Sequence, residues 1–154
     1  MLELNLPKAN IKIAKRNGKA MIFDDLRKKF VSLTPEEWVR QHFVNYLITE
    51  KKYPASLIAN EVGIKLNNTL KRCDTVVYDK YLEPALIVEY KAPTVEINEN
   101  VFNQIVRYNM VLKVKHLIVS NGLKHYCCSI DYEKQTYSFI NSIPDYSSIV
   151  GSDL

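Results

Sequence analysis

The chain has 154 residues, of which 47% are hydrophobic and 25% are charged, and its formal net charge is +4. This length suits one domain, and the composition is that of a globular protein, which excludes collagen-like and low-complexity chains. A net charge of +4 is too small to establish a polyanionic partner by itself.

The positive charge is concentrated near the N-terminus. Residues 1–30 carry eight Lys or Arg against three Asp or Glu, so this segment has a charge of +5 and the remainder has −1. A basic arm on a neutral body is one sign of nucleic-acid binding, and a solvated polar face is the simpler interpretation. The charge pattern alone leaves both open.

The sequence carries no sign of secretion or of membrane insertion. Its first residues lack the basic and apolar regions of a signal peptide, and no run of about 18 apolar residues occurs. The three cysteines, Cys73, Cys127 and Cys128, form neither an even disulfide set nor a zinc-type spacing. We therefore expect a cytoplasmic protein that does not contact a membrane.

The first elements are marked by turn and capping residues. Asn17-Gly18 between apolar alternations predicts an N-terminal β-hairpin. Thr34 as N-cap, Pro35 in the first turn and Glu37 as the return partner of a capping box predict a helix that ends before Pro54. Three strands should follow, over residues 57–66, 73–78 and 85–91, with Gly63 at a bulge.

The second half of the chain alternates between helical and strand patterns. Helical spacing over residues 98–113 predicts a helix whose apolar stripe is Val101, Ile105, Tyr108 and Leu112. Residues 116–120 predict a strand buried on both faces, and residues 125–130 and 136–140 predict a hairpin. A helix between two sheet strands requires a crossover and predicts a parallel pair.

These elements define the expected architecture. We predict a three-layer α/β/α core around a mixed central sheet, preceded by the N-terminal β-hairpin. Residues 1–154 should form a single domain, with a basic hairpin arm over residues 1–30 and a core over about 31–143.

Two neighbouring strands carry charges where a sheet interior should be apolar. Glu89 and Lys91 share one face of their strand, and a short hairpin brings Asp74 near them. Two carboxylates at about 4 Å repel by roughly 4 kcal/mol at an effective dielectric of 20, so a positive charge must compensate them. Lys91 alone would make a salt-bridged hairpin, and a divalent cation would make a magnesium site with an adjacent lysine. These residue types leave both interpretations open.

Two motifs point to a known family. Asp74-x14-Glu89-x-Lys91 resembles the PD-(D/E)xK nuclease signature, with Cys73 in place of its proline, and Gln104-x3-Tyr108 resembles the QxxxY motif of RecB-like nucleases. Residues 34–40, 71–79 and 87–93 are similar to the type I restriction enzyme R-subunit N-terminal domain. The resemblance implies a restriction-endonuclease-like fold, a DNA substrate and Mg²⁺ dependence, with Mn²⁺ as a substitute.

The resemblance also implies roles for individual residues. Asp74 and Glu89 would ligate Mg²⁺ together with the backbone carbonyl of Tyr90, and Lys91 would orient or activate the attacking water. Gln104 and Tyr108 would support the site or contact DNA.

Further residues have two interpretations each. Glu37 is either a metal-site residue on the first helix or only a helix cap, and Glu61 is a weaker alternative for the metal site. Arg40, Arg72 and Arg107 are candidate DNA-phosphate contacts, and each could equally form an ion pair within the protein.

The expected function is a Mg²⁺-dependent DNA endonuclease of the restriction type that hydrolyses phosphodiester bonds. No GxxxxGK[ST] phosphate loop occurs in the sequence, so we expect no translocase motor of the kind that full R subunits carry. Such a domain would act alone, as a homodimer or with other restriction-system subunits. The alternative function is a non-catalytic DNA-binding or assembly module that keeps the nuclease fold.

Overall fold

The computed structural model describes residues 2–151 and places them in two β-sheets with helices packed around the larger sheet. In chain order, the elements of these residues are β1 (Ile13–Arg16), β2 (Lys19–Asp24), β3 (Lys29–Ser32), α1 (Pro35–Glu50), a 3-10 turn (Ala55–Leu57), β4 (Ile58–Leu66), β5 (Thr69–Tyr78), β6 (Pro84–Tyr90), α2 (Glu99–Met110), β7 (His116–Ser120), β8 (His125–Asp131), β9 (Thr136–Ile140) and α3 (Tyr146–Val150). Within them, no helix is both long and apolar enough to cross a membrane.

The N-terminal sheet contains the predicted hairpin and one more strand. Asn17 and Gly18 have φ angles of 51° and 78°, the left-handed conformations that a two-residue hairpin turn requires. β3 then pairs antiparallel with β2 to make a three-stranded sheet in the order β1-β2-β3. The sequence did not predict β3 because, unlike the equally short β1, it adjoins no Asn-Gly turn that marks a hairpin.

Helix α1 begins as the capping residues predict. The Thr34 hydroxyl accepts a hydrogen bond from the Glu37 backbone N–H at 3.0 Å, and Pro35 occupies the first turn. The return half of the predicted capping box is wrong, because the Thr34 N–H donates to the Ser32 carbonyl and the Glu37 carboxylate turns inward.

The larger sheet confirms the predicted topology. Its six strands lie in the order β4-β5-β6-β7-β8-β9, and every neighbouring pair is antiparallel except β6 and β7. That parallel pair is joined by α2. The antiparallel neighbours follow one another directly along the chain, so short connections suffice for them.

Helices cover both faces of this sheet, which confirms the three-layer core. On one face, α1 and α3 pack against the sheet through Val39, Phe43, Leu47 and Ile149, which lie in one cluster with Val77, Leu86, Val88 and Ile118. On the other face, α2 packs through Phe102 and Val106, which lie in a second cluster with Val76, Ile87, Leu117 and Val119.

The predicted apolar stripe of α2 is confirmed in part, because Leu112 is buried and Ile105 packs against the second cluster, but it is wrong at Tyr108. The helix buries Phe102, Val106 and Asn109, whereas Tyr108 is 43% exposed and Gln104 is exposed. The row of buried residues lies next to the predicted row on the helix surface, and the large ring of Phe102 is the group that enters the core. The Asn109 side-chain N–H donates to the Ile105 carbonyl at 2.9 Å, whereas its amide oxygen is buried without a partner among the described residues.

The irregularity of β4 lies at a different residue from the predicted one. Gly63 pairs regularly with Arg72, so the bulge predicted there is wrong. Glu61 instead has a φ of 56°, and the ladder to β5 is interrupted between Asn60 and Val62. This conformation is unfavourable for a glutamate and requires support from the surrounding structure.

Candidate metal centre and its buried support

Strand register brings the two predicted carboxylates together. The last paired residues of β5 and β6 are Thr75 and Val88, and Asp74 and Glu89, the next residues of the two strands, lie opposite each other just beyond this pair; we call this position the Asp74–Glu89 rung. The Tyr90 N–H donates to Asp74 Oδ2 at 2.9 Å, which fixes the aspartate at this rung. Directly opposed residues of an antiparallel pair extend to the same face of the sheet. The sequence could not decide this face, because it does not reveal the register.

The surroundings of Glu89 destabilise its ionised form. Burial is the main reason that the pKa of Glu89 rises, and repulsion by Asp74 and a hydrogen bond between the two carboxyl groups raise it further. Lys91 and Arg40 oppose these effects, and the pKa is about 9. Among residues 2–151, Glu89 Oε1 has no hydrogen-bond partner although it is buried. At neutral pH this pair therefore requires either a shared proton or a bound cation.

Lys91 lies at the end of the same strand. Its backbone N–H donates to the Ser120 carbonyl at 2.9 Å and continues the parallel ladder between β6 and β7. Its side chain is half-buried, and its positive charge favours the ionised form of Glu89. The structure thus places Asp74, Glu89 and Lys91 together, as the spacing of the motif requires.

The donor set fits a hard divalent cation that keeps part of its water shell. In the described part of the chain, no group of three or more His, Cys, Asp or Glu side chains could hold a metal. Mg²⁺ is commonly bound by only one or two carboxylates together with waters and phosphate oxygens, so two carboxylates suffice. The partnerless Glu89 oxygen is an available ligand.

Tyr90 separates the glutamate from the lysine, and its side chain belongs to the opposite, α1-facing cluster. Its hydroxyl lies 2.9 Å from Thr75 Oγ1, and burial is the main reason that the pKa of Tyr90 rises. The Arg40 guanidinium lies over its ring, 5.7 Å from the centroid. The tyrosine ring therefore anchors the middle of the motif to the core.

Glu37 serves neither of its two predicted roles. Its Oε1 accepts from Arg27 at 2.9 Å, and its Oε2 accepts from the Gln41 amide at 2.9 Å and lies 3.2 Å from Arg40 Nε. Both oxygens are engaged, so the side chain neither caps α1 nor joins Asp74.

Of the two predicted interpretations of Arg40, a phosphate contact or an ion pair within the protein, the structure supports the ion pair. Arg40 is only 5% exposed. One guanidinium nitrogen donates to the Asp74 carbonyl at 2.7 Å, and another donates to Glu61 at 2.5 Å. Arg40 thereby ties helix α1 to the backbone of the aspartate.

Glu61, the weaker alternative for the metal site, is also engaged. Arg40 binds one of its carboxylate oxygens, and Arg72 binds the other at 3.0 Å. Burial raises its pKa, but the hydrogen bonds from these two arginines outweigh burial and leave the pKa lowered. They also hold the glutamate in its left-handed conformation.

Asp24, at which the buried polar contacts beneath the site meet, was not among the residues predicted from the sequence. Asp24, at the end of β2, is wholly inaccessible to solvent and accepts hydrogen bonds from Arg27 and from the Asn60 amide. Burial acts to raise its pKa, and these hydrogen bonds lower it by more. The turn contacts of Asp24 with Leu26 and Arg27 are local, but its burial and its contact with Asn60, 36 residues away, depend on the assembled fold.

Two chains of contacts run from Asp24 to the strands of the site. The ionic chain passes through Asp24, Arg27, Glu37, Arg40, Glu61 and Arg72. The hydrogen-bonded chain passes through Asp24, Asn60, Thr75 and Tyr90. The N-terminal sheet is therefore attached to the candidate site through buried polar contacts, which a detachable basic arm would not make.

The remaining predicted residues lie on the surface. Gln104, Arg107 and Tyr108 are exposed on α2, and Lys71 Nζ lies over the Tyr108 ring at 4.1 Å from its centroid. The Arg72 side chain is 68% exposed despite its contact with Glu61. Arg72 and Arg107 are accessible to a phosphate, whereas Arg40 is not.

Comparison with known proteins identifies the family. A search of curated proteins finds no match. A fragment described as an HsdR subunit of a type I restriction enzyme from Vibrio vulnificus YJ016 has a similar fold, with a TM-score of 0.52 and 17% sequence identity over 76% of this chain. The chain spans only 24% of that structure. The family model for the type I restriction enzyme R protein N terminus matches residues 35–144. The chain therefore belongs to the family of type I restriction enzyme R protein N-terminal domains.

Proposed function

We propose that the chain is a Mg²⁺-dependent DNA endonuclease domain that hydrolyses phosphodiester bonds at the Asp74–Glu89 rung. The observation that carries the proposal is the pairing of two carboxylates, one with a buried oxygen that has no partner within residues 2–151, beside Lys91. A site built only for stability has no evident reason to hold two repelling carboxylates together.

Asp74, Glu89 and the Tyr90 carbonyl would hold Mg²⁺, and Mn²⁺ could replace it. A bound divalent cation polarises the phosphate and lowers the pKa of a coordinated water. Asp74 can keep a fixed position during the reaction, because Tyr90 holds its side chain and Arg40 holds its carbonyl.

The ammonium group of Lys91 would supply a positive charge beside the two carboxylates. In hydrolysis, a water oxygen bonds to phosphorus while the bond to the leaving sugar oxygen breaks, and the products are a phosphate monoester and a hydroxyl. Negative charge grows on the phosphate oxygens along this path, and an ammonium group beside the carboxylates can orient the water and stabilise that charge. The partly buried position of Lys91 strengthens this interaction relative to water.

The wider context of the domain is part of the proposal. Type I restriction enzymes give the family its name, so other restriction-system subunits or a second copy of the chain are the proposed partners. Each chain offers one rung of carboxylates, so cutting both strands of a duplex requires two copies or two visits. Gln104, Arg107 and Tyr108, exposed on α2, are proposed to contact DNA.

The test is cleavage of supercoiled plasmid in Mg²⁺ by the wild type and by Asp74→Asn, Glu89→Gln and Asp25→Asn. Asp25 is an exposed aspartate next to Asp24, so Asp25→Asn makes the same chemical change away from the site. We expect nicked or linear DNA with the wild type and with Asp25→Asn, and intact plasmid with the two site variants. Circular dichroism verifies that each variant is folded. A wild type that binds DNA without cutting it in Mg²⁺ or Mn²⁺ would instead indicate the non-catalytic module.

A further inference from the structure

Strands β4 and β5 extend well beyond the rest of their sheet. β5 pairs with β6 only over Thr75–Tyr78, whereas the pairing of β4 with β5 continues to the rung of Leu66 and Thr69. Residues 62–73 therefore form a two-stranded ribbon on the Asp74 side of the sheet. At about 3.4 Å per residue, the ribbon extends roughly 15 Å beyond the rung that holds the carboxylates.

The ribbon carries charge of one sign. Lys65, Lys71 and Arg72 lie within residues 62–73, and this segment contains no Asp or Glu; Arg72 also contacts Glu61, which directly precedes the segment. Lys65 and Arg72 are exposed, and Lys71 is fixed over the ring of Tyr108. The concentration of cations at one projecting edge matches a polyanionic partner.

The tip of the ribbon carries groups that can contact bases. Asn67 and Asn68 are exposed at the turn, and Leu70 is 65% exposed. Amide side chains can donate to and accept from base edges, and an apolar side chain can contact a thymine methyl group. The tip therefore offers both polar and apolar groups to a base edge, beside the cations of the ribbon.

We propose that the ribbon of residues 62–73 enters the major groove of duplex DNA and holds the duplex against the Asp74–Glu89 rung. A major groove about 12 Å wide admits a two-stranded ribbon. Asp74 directly follows the ribbon along β5, so a duplex seated on the ribbon has its phosphate backbone next to the carboxylates. The cleavage step rests on the function proposed above, whereas the binding step does not.

The test compares two variants that remove equal charge. Lys65→Gln, Lys71→Gln and Arg72→Gln are combined in a ribbon variant. Its control combines Lys113→Gln, Lys115→Gln and Lys134→Gln, three exposed residues at the opposite end of the sheet. The measurement is fluorescence anisotropy of a short labelled duplex of mixed sequence, titrated over a range of salt concentrations with Ca²⁺ present.

We expect the slope of log affinity against log salt, which is negative, to become shallower by about 2.7 in the ribbon variant, because each of the three lost phosphate contacts removes about 0.9 from its magnitude. The control should keep the wild-type slope. Equal losses in both variants would show that only bulk charge matters and would overturn the proposal. DNA affinity unchanged in the ribbon variant would also overturn it and would favour a protein partner for the ribbon.

The two proposals fail separately. Ribbon-dependent binding without cleavage in Mg²⁺ or Mn²⁺ would support the ribbon and refute the nuclease. Cleavage that persists with an unchanged salt slope in the ribbon variant would support the nuclease and refute the ribbon.

A paired substitution at the tip, Asn67→Ala with Asn68→Ala, should lower the preference among duplex sequences while leaving the salt slope unchanged, because base contacts carry sequence information and phosphate contacts carry the salt dependence. An unaltered preference would remove the tip from the binding surface.

Discussion

Replacement of Glu89 by glutamine should stabilise the metal-free protein at alkaline pH and remove part of its pH dependence. The cause is the pKa of Glu89, which burial and the neighbouring Asp74 raise from its ordinary value of 4.5 to about 9. Glutamine has nearly the same shape and carries no charge, and its amide can donate to the Asp74 carboxylate.

The sign of the effect follows from proton linkage. In the window between about 4.5 and about 9, folded Glu89 keeps a proton that the unfolded chain releases. The native state then holds more protons than the unfolded state, so the free energy of unfolding falls as the pH rises. The slope is at most about 1.4 kcal/mol per pH unit, which makes about 3 kcal/mol between pH 5 and pH 7. For a domain of this size, that loss lowers Tm by about 6–12 °C.

The assay is thermal unfolding in the presence of EDTA at pH values from 5 to 9, monitored by circular dichroism. His116, His125 and the other groups remote from the site are common to both proteins, so the difference between the two pH profiles reports the titration of the Asp74–Glu89 pair. Mg²⁺ at pH 8 should raise Tm of the wild type because a ligand of the native state stabilises it, and should have little effect on Glu89→Gln. The reasoning would be refuted if the wild type and Glu89→Gln had identical pH profiles. It would also be refuted if neither Mg²⁺ nor Mn²⁺ changed the Tm of the wild type.

Two further predictions concern stability. Asp24→Ala should lower the free energy of unfolding by about 2–4 kcal/mol in urea titrations, because it removes the acceptor of the buried Asn60 amide and of Arg27 Nε, although Arg27 keeps its contact with Glu37. Asp25→Ala should change it by less than about 0.5 kcal/mol, and an equally small effect of Asp24→Ala would mean that these contacts contribute little. Gly122→Ala should lower Tm more than Gly18→Ala. Both glycines have positive φ, but only at Gly122 would the new Cβ lie 2.7 Å from a side-chain methyl group of Leu4. Equal losses of Tm in the two variants would show that this clash is relieved at no cost.

Much of the fold could be predicted because its signals are local. The Asn17-Gly18 turn requires only two residues that tolerate positive φ, and the Thr34 cap satisfies an N–H three residues away. The buried strand at His116–Ser120 and the crossover before it follow from one apolar run and one helical period. In each case the determining residues are neighbours in the sequence.

The predictions that failed, or that the sequence left open, concern the partners of side chains. Glu37 has the residue type and position of a capping-box member, but arginines at other positions compete for its carboxylate. Arg40 resembles a phosphate contact, but Glu61 and the Asp74 carbonyl bind it in the interior. Except for the contact between Glu37 and Arg40, which are three residues apart, these partners lie 10 to 34 residues away along the chain, where no local pattern indicates them.

The sequence by itself determined the order of the elements, the hairpin turn and the spacing of Asp74, Glu89 and Lys91, because these depend on backbone preferences and on short-range periodicity. Only the tertiary structure decided that Asp74 and Glu89 share a rung, since register depends on how whole strands pack. It also decided that Asp24 anchors the N-terminal sheet beneath the site. Burial sets the pKa of a carboxylate and the cost of leaving it unpaired, and burial is a property of the assembled fold.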